Sequence, residues 1–267
     1  MNKMMTRKEF LKSAALGASA LLCAGTGYGF LGKGANCTGS IKGHITKNDA
    51  PDIPWKWAIE GFHYASDGEN VECQVCPNHC VLGPGDRSIC RSKVNIGGKL
   101  YSLTYGNPCA VHLDPIEKKP LAHFHPRSRA FSIATTGCNF RCLNCQNWEI
   151  SQKKPEQVEH TTLFPEEAVK TAKEKGARSI AYTYSEPTTF YEYMFDTAKL
   201  ARQADLKNVL ISNGYINRKP LISLCRYLDG ANINLKSFEN AIYGCLNGGT
   251  LHPVLETFKT LHEQKVW

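Results

Sequence analysis

The chain has 267 residues, a formal net charge of +8, and 42% hydrophobic and 21% charged residues. That length supports one large domain or two small ones with ample core, and the composition is ordinary for a globular protein. No Lys/Arg run and no interleaving of basic with aromatic residues marks a nucleic-acid surface, so the positive charge reads as a solvated face.

Residues 1–50 read as a leader and a flexible linker, set apart from the fold. Arg7 and Lys8 precede Phe10-Leu11-Lys12 and then a mostly apolar stretch from Ala14 to Ala24. The order Thr6-Arg7-Lys8-Glu9-Phe10-Leu11-Lys12 resembles a twin-arginine export signal with lysine in place of the second arginine. The apolar stretch is short for a spanning helix, so it fits a signal region or a loose anchor. Residues 25–50 are rich in Gly, Asn, Thr and Lys without periodicity. The leader leads us to expect export or membrane attachment, with cytoplasmic function as the alternative.

Twelve cysteines is a high count, and seven fall in two clusters. Short cysteine spacings in a chain of this size point to metal rather than to a disulfide scaffold. Residues 51–125 carry the first cluster, Cys73, Cys76, Cys80 and Cys90, in the order C-x2-C-P-x3-C-x9-C. Four thiolates there can close a tetrahedral site around zinc, or hold a second iron–sulfur cluster. His79 could replace one of them. Lys99 to Tyr105 and Ala110 to Leu113 alternate and predict strands of the same small β-rich module. The segment Asp114-Pro115-Ile116-Glu117-Lys118-Lys119 then reads as a solvated loop.

From residue 126 to 267 the pattern becomes βα alternation. Strands are predicted over Phe131–Thr135, Ser179–Tyr184, Asn208–Ile211 and Asn232–Leu235. Helices are predicted over Pro165–Lys175, Thr189–Gln203, Pro220–Leu228 and Pro253–Gln264. In the last of these Val254, Leu255, Phe258 and Leu261 stand at amphipathic spacing. Repeated βα units imply parallel strands with right-handed crossovers, and reactive groups in such folds gather at the C-terminal ends of the strands. Four features fall at those ends: a cysteine loop from Cys138, Ser185-Glu186-Pro187, Ser212-Asn213, and Lys236. Lys265-Val266-Trp267 reads as the start of a fifth strand. The expectation is therefore an α/β partial barrel, truncated after its fourth βα unit, beside the cysteine-rich β module.

The cysteine loop is Cys138-x3-Cys142-x2-Cys145. Thiolates are soft ligands for iron–sulfur clusters, zinc or copper(I). A four-iron cubane usually takes four cysteines, so three would leave one iron open to a substrate or cofactor. The competing reading is a zinc knuckle whose fourth ligand lies elsewhere.

Taken together the motifs resemble the radical S-adenosylmethionine (SAM) superfamily, and more narrowly its AmmeMemoRadiSam-system enzymes, relatives of the pyruvate formate-lyase-activating enzymes. The likeness runs from about Val71 to Trp267, through ECQVCPNHC, YGNPCAVHLDPIEKKPLAHFHP, TTGCNFRCLNCQNWEISQ, AYTYSEPTTFYEY, VLISNGY, NINLKSF and GGTLHPVLETFKTLHE. It implies that Cys138, Cys142 and Cys145 bind a 4Fe–4S cluster whose open iron takes SAM. It places Ser185 and Glu186 where the family contacts the SAM amino group, and Ser212 and Asn213 near the methionine or ribose moiety. Asn144 would lie over the adenine, and Lys236 would complete the cofactor-binding set. It further implies a low-potential electron donor of flavodoxin or ferredoxin type, and hydrogen abstraction from an unidentified small molecule or protein. Two readings of other classes compete: an iron–sulfur electron-transfer module without SAM chemistry, and an exported, zinc-stabilised binding protein.

Overall fold

The computed structural model describes residues 55–267, so the leader and linker expected over residues 1–50 lie outside the described residues. The described residues belong to one compact unit. Among them no helix is long and apolar enough to cross a membrane.

Six short strands come first: β1 (Ile59–Glu60), β2 (Tyr64–Ser66), β3 (Val71–Cys73), β4 (Val81–Leu82), β5 (Lys93–Ile96) and β6 (Lys99–Ser102). They make two antiparallel three-stranded sheets, ordered β1-β6-β5 and β2-β3-β4. The expected small β module stops there. The next strand, β7 (Ala110–Pro115), pairs antiparallel with β8 (Arg129–Ala134) along its whole length. Ala110–Leu113 thus belongs to the main sheet, which corrects its placement in the module. Its alternation signalled a strand, but alternation carries no information about which partner the strand will find.

The βα region follows the sequence pattern closely. After a one-turn helix α1 (Trp148–Ser151) come α2 (Pro165–Glu174), β9 (Ser179–Tyr182), α3 (Tyr191–Gln203), β10 (Lys207–Ser212), α4 (Arg218–Cys225) and β11 (Gly230–Ile233). A further single turn, α5 (Asn240–Ile242), precedes α6 (His252–Glu263). Pro165 opens α2 at the position where its missing N–H costs nothing, and Glu167 reaches back to the backbone N–H of Phe164 at 3.1 Å. The expected helix start at Thr189 falls inside a 3-10 turn, Pro187–Phe190, because Glu186 caps that turn first.

β8, β9, β10 and β11 are parallel, and their order in the sheet is their order in the chain. Trp267 N–H donates to Asp229 O at 3.2 Å, and Ala231 N–H donates to Trp267 O at 2.8 Å. That is a parallel bridge on the outer edge of β11, where the sequence predicts a fifth strand to begin.

Phe190, Met194, Ala198 and Ala201 of α3 and its leading turn are fully buried against the sheet, as their spacing predicts. On α6, Val254 and Leu261 are buried but Phe258 is 39% exposed, with Thr257 and Thr260 inside instead. Thr257 Oγ1 donates to Gly214 O at 2.7 Å, so that face was chosen by a hydrogen bond as well as by hydropathy. One hydrophobic core runs through both regions: Val71, Cys73, Leu82 and Leu100 share it with Phe131, Ile180, Tyr182 and Met194. The expected boundary at residues 125/126 therefore does not divide the core. Lys93 and Glu192, both buried, form an ion pair across it.

Candidate functional site

The strands deliver their C-terminal ends to one cavity of about 760 Å³. Cys138, Cys142, Asn144, Cys145, Ser185, Glu186, Ser212, Asn213 and Lys236 all line it, so the structure brings together every residue expected of the SAM site.

The cysteine loop leaves β8 through Gly137, whose φ of +100° is open to glycine. A Cβ there would stand 2.5 Å from the Cys90 carbonyl oxygen, so the first cysteine cluster packs directly behind the second. The loop has no repetitive structure of its own and is held by others. Arg141 N–H donates to Asn247 O at 2.8 Å and Leu143 N–H to Leu246 O at 2.9 Å. Asn78 Nδ2 donates to Asn139 O at 2.9 Å, and Asn139 Nδ2 to Tyr215 O at 2.7 Å. Phe140 packs between Tyr215 and Tyr243 beneath it.

The sulfurs are supplied with N–H donors. Asn247 Nδ2 lies 3.1 Å from Cys142 Sγ, Phe140 N lies 3.4 Å from Cys138 Sγ, and Asn213 Nδ2 lies 3.9 Å from Cys138 Sγ. Such donors favour thiolates and tune the potential of a bound cluster. Burial pushes the Cys138 thiol up, and the nearby Glu186 charge adds to that shift. A buried thiol with amide donors aimed at it suits a positively charged metal group. Among the described residues no three His, Cys, Asp or Glu side chains are gathered tightly enough for a single metal ion. Cys138, Cys142 and Cys145 line one cavity, three soft ligands of the kind an iron–sulfur cluster takes.

Glu186 is the hub of the strand ends. It is 2% exposed, and its Oε1 accepts from Thr188 N at 3.0 Å, Thr188 Oγ1 at 2.7 Å and Ser212 Oγ at 2.7 Å. Its Oε2 accepts from Asn213 N at 2.9 Å. Burial pushes its carboxyl up, while the donated hydrogen bonds oppose the shift. Asn213 then donates from Nδ2 to Asn139 Oδ1 at 2.8 Å, which links the hub to the cysteine loop. Ser185 Oγ donates to Thr135 O at 2.6 Å. Asn144 and Lys236 are exposed at the cavity.

Sequence reasoning missed other lining residues. Lys119, expected on a solvated loop, is 1% exposed and paired with Asp114 at 2.7 Å. Charged runs are usually solvated, and only the carboxylate five residues earlier hinted otherwise. Asn147, which donates to Tyr184 O at 2.6 Å, gave no local signal.

In the first cluster Cys73, Cys80 and Cys90 are buried and Cys76 is half-buried. Burial pushes Cys73 up to about 12 and Cys80 up to about 11. Cys76 is also raised by burial, and then by the charges of Cys73, Cys80 and Cys90, so all four lie within electrostatic reach of one another. His79 is turned towards Glu72, with Nδ1 2.8 Å from its Oε1.

Parallel βα units, an open-handed cysteine triplet and a polar cavity at the strand ends define a class of α/β cofactor enzymes. Within it, the chain belongs to the radical SAM superfamily, whose sequence model matches residues 132–267. It is 44% identical over 206 residues to the uncharacterized protein MJ0808 of Methanocaldococcus jannaschii, covering 77% of this chain and 61% of that relative. Two solved structures are more distantly similar. TYW1 with a lysine–pyruvate adduct bound is 18% identical with a TM-score of 0.39, over 57% of this chain and 61% of its own. QueE from Escherichia coli is 10% identical with a TM-score of 0.37, over 60% of this chain and 75% of its own.

Proposed function

We propose that this chain is a radical SAM enzyme in which Cys138, Cys142 and Cys145 hold the 4Fe–4S cluster and the cavity beside them takes SAM. Superfamily membership implies cluster-dependent SAM cleavage. One observation carries the assignment of residues: the three cysteines and the polar strand ends line the same cavity. A 4Fe–4S cluster held by Cys138, Cys142 and Cys145 would supply the one-electron reduction that cleaves SAM and starts hydrogen abstraction from the substrate.

The chain's own residues bind and orient. Asn213, Asn247 and the Phe140 amide aim N–H groups at the sulfurs. Glu186 fixes the ends of β9 and β10 relative to each other through Ser212 and Asn213. Ser185, Ser212, Asn144 and Lys236 offer polar contacts to SAM, whose carboxylate suits the exposed Lys236 ammonium. The sequential strand order supports a partial-barrel reading of the sheet. The motif string supports the AmmeMemoRadiSam-system relation, and with it an activating-enzyme-like role on a small-molecule or protein substrate. A flavodoxin or ferredoxin is the reductant this chemistry calls for. Cys73, Cys76, Cys80 and Cys90 are read as a second metal site, for zinc or another iron–sulfur cluster, supported by their spacing in the sequence and by the action of their charges on one another, although their side chains do not stand as a ready cage for a single ion. The leader is read as directing export or membrane attachment; a reporter fused to residues 1–50 that stays soluble in the cytoplasm would refute that.

The test is anaerobic reconstitution with iron and sulfide, then incubation with SAM and dithionite. Methionine and 5′-deoxyadenosine in equal amounts are expected. A brown protein that releases neither would favour the electron-transfer module.

A further inference from the structure

One stretch of the cavity wall comes from outside the βα repeat. After β7 the chain makes a 3-10 turn, Ile116–Lys118, whose buried Ile116 anchors it and leaves Lys118 and Lys119 lining the cavity. Lys119 Nζ donates to Asp114 Oδ2 at 2.7 Å and stands 4.2 Å from the centroid of the Tyr184 ring. Lys118 Nζ donates to Asp114 Oδ1 at 2.9 Å, with its side chain 60% exposed. The Tyr184 hydroxyl donates to Asp114 Oδ2 as well. Two ammonium groups thus share one carboxylate, which leaves this group with a net positive charge on the cavity wall. Glu186, on the same cavity, is hydrogen-bonded by its own turn and by Ser212 and Asn213 at the end of β10, and neither lysine is among its partners.

Tyr184 adds a second, independent sign. Its φ is +64°, a left-handed conformation that a bulky side chain keeps only where the surroundings impose it. Asn147 grips its carbonyl and Asp114 grips its hydroxyl, so the strained backbone is held from both ends with the ring at the cavity. Backbone strain of this kind collects at sites that bind or react. A buried ion pair kept only for stability would need neither the second lysine nor the strained ring.

We propose that Lys118 and Lys119 form an oxyanion subsite that anchors a carboxylate or phosphate group of a small-molecule substrate, with Asp114 and Tyr184 as positioning residues. Ammonium groups bind such anions through charge-assisted hydrogen bonds, and the cavity volume is in the range of small-molecule sites. The proposal rests on the radical SAM reading of the same cavity and names the substrate class for it.

The test uses the reconstituted full chain and three probes: inorganic phosphate, benzoate, and the neutral isostere benzamide, each titrated by calorimetry. One or both anions should bind, and the tighter of the two identifies the group recognised. Lys118→Gln, an exposed position that does not threaten the fold, should weaken anion binding about tenfold and leave benzamide unchanged. Lys119→Met should do the same. Anion binding should persist in saturating S-adenosylhomocysteine. Three results would overturn the proposal: benzoate and benzamide binding alike, anion binding undiminished in both variants, or anion binding abolished by S-adenosylhomocysteine, which would give the lysines to SAM's own carboxylate. Failure of the wild-type chain to cleave SAM is a separate result; it would strike the radical SAM reading and leave the titrations as they stand.

Discussion

Glu186→Gln tests whether one buried carboxylate organises the site. In the wild type Oε1 receives three donors and Oε2 receives the Asn213 N–H at 2.9 Å. Glutamine keeps one acceptor oxygen and turns the other into an NH2 group. With the oxygen kept on the three-donor side, the new amide faces the Asn213 N–H donor to donor. Leaving one buried N–H unsatisfied costs about 1–3 kcal/mol. Glu186→Ala strands both backbone donors, Thr188 N and Asn213 N, and should cost about 2–6 kcal/mol, a large share of the 5–15 kcal/mol typical of a domain. The damage should reach the metal, because Asn213 is tied to Asn139 at 2.8 Å and aimed at Cys138. Urea unfolding under anaerobic conditions reads the stability, and iron per chain after desalting reads the site. Glu186→Gln unfolding within about 0.5 kcal/mol of wild type with full iron content would refute the hub role.

Three further outcomes follow from local geometry. Burial alone would raise the Asp114 carboxyl, but Lys119, Tyr184 and Lys118 hold it well below the usual carboxylate range. The unfolded chain therefore takes up this proton first, so the stability it confers is present above about pH 4 and lost as the pH falls further. Asp114→Asn should flatten the acid limb of the stability–pH curve, and an unchanged limb would contradict the pairing. Gly137→Ala places a Cβ 2.5 Å from Cys90 O at a φ of +100°, so it should cost about 1–3 kcal/mol, lower the thermal midpoint and reduce bound iron. Lys93→Met leaves Glu192 buried without its partner and should cost about 3–5 kcal/mol, most of it recovered by adding Glu192→Leu. Equal urea midpoints for the single and double variants would rule that out.

Much of this site was legible in the sequence because its parts sit where periodicity changes. Cys138, Glu186 and Ser212 each follow a short apolar strand, and strand ends are readable from hydropathy. The helices were placed within a few residues because Pro165 and Pro253 mark two starts and Gly176 ends one. What could not be read depended on long-range pairing. Ala110–Leu113 announced a strand but not its partner, and β7 joined the main sheet at its antiparallel edge. Lys119 looked solvated because nothing local shows that the chain turns inward after Pro115. Asn139, Asn147 and Asn247 hold the cysteine loop through contacts up to 106 residues apart in sequence, at Arg141 and Asn247. Asparagine carries no periodic signal that would single such residues out.

The central claim is that the cluster held by Cys138, Cys142 and Cys145 meets SAM directly. Electron paramagnetic resonance of the dithionite-reduced protein, recorded before and after adding SAM, reads that contact at the iron. The spectrum of the wild-type chain should change on SAM addition, and that SAM-responsive signal should be missing from Cys142→Ala. An identical spectrum with and without SAM, or a SAM response retained in Cys142→Ala, would contradict the account.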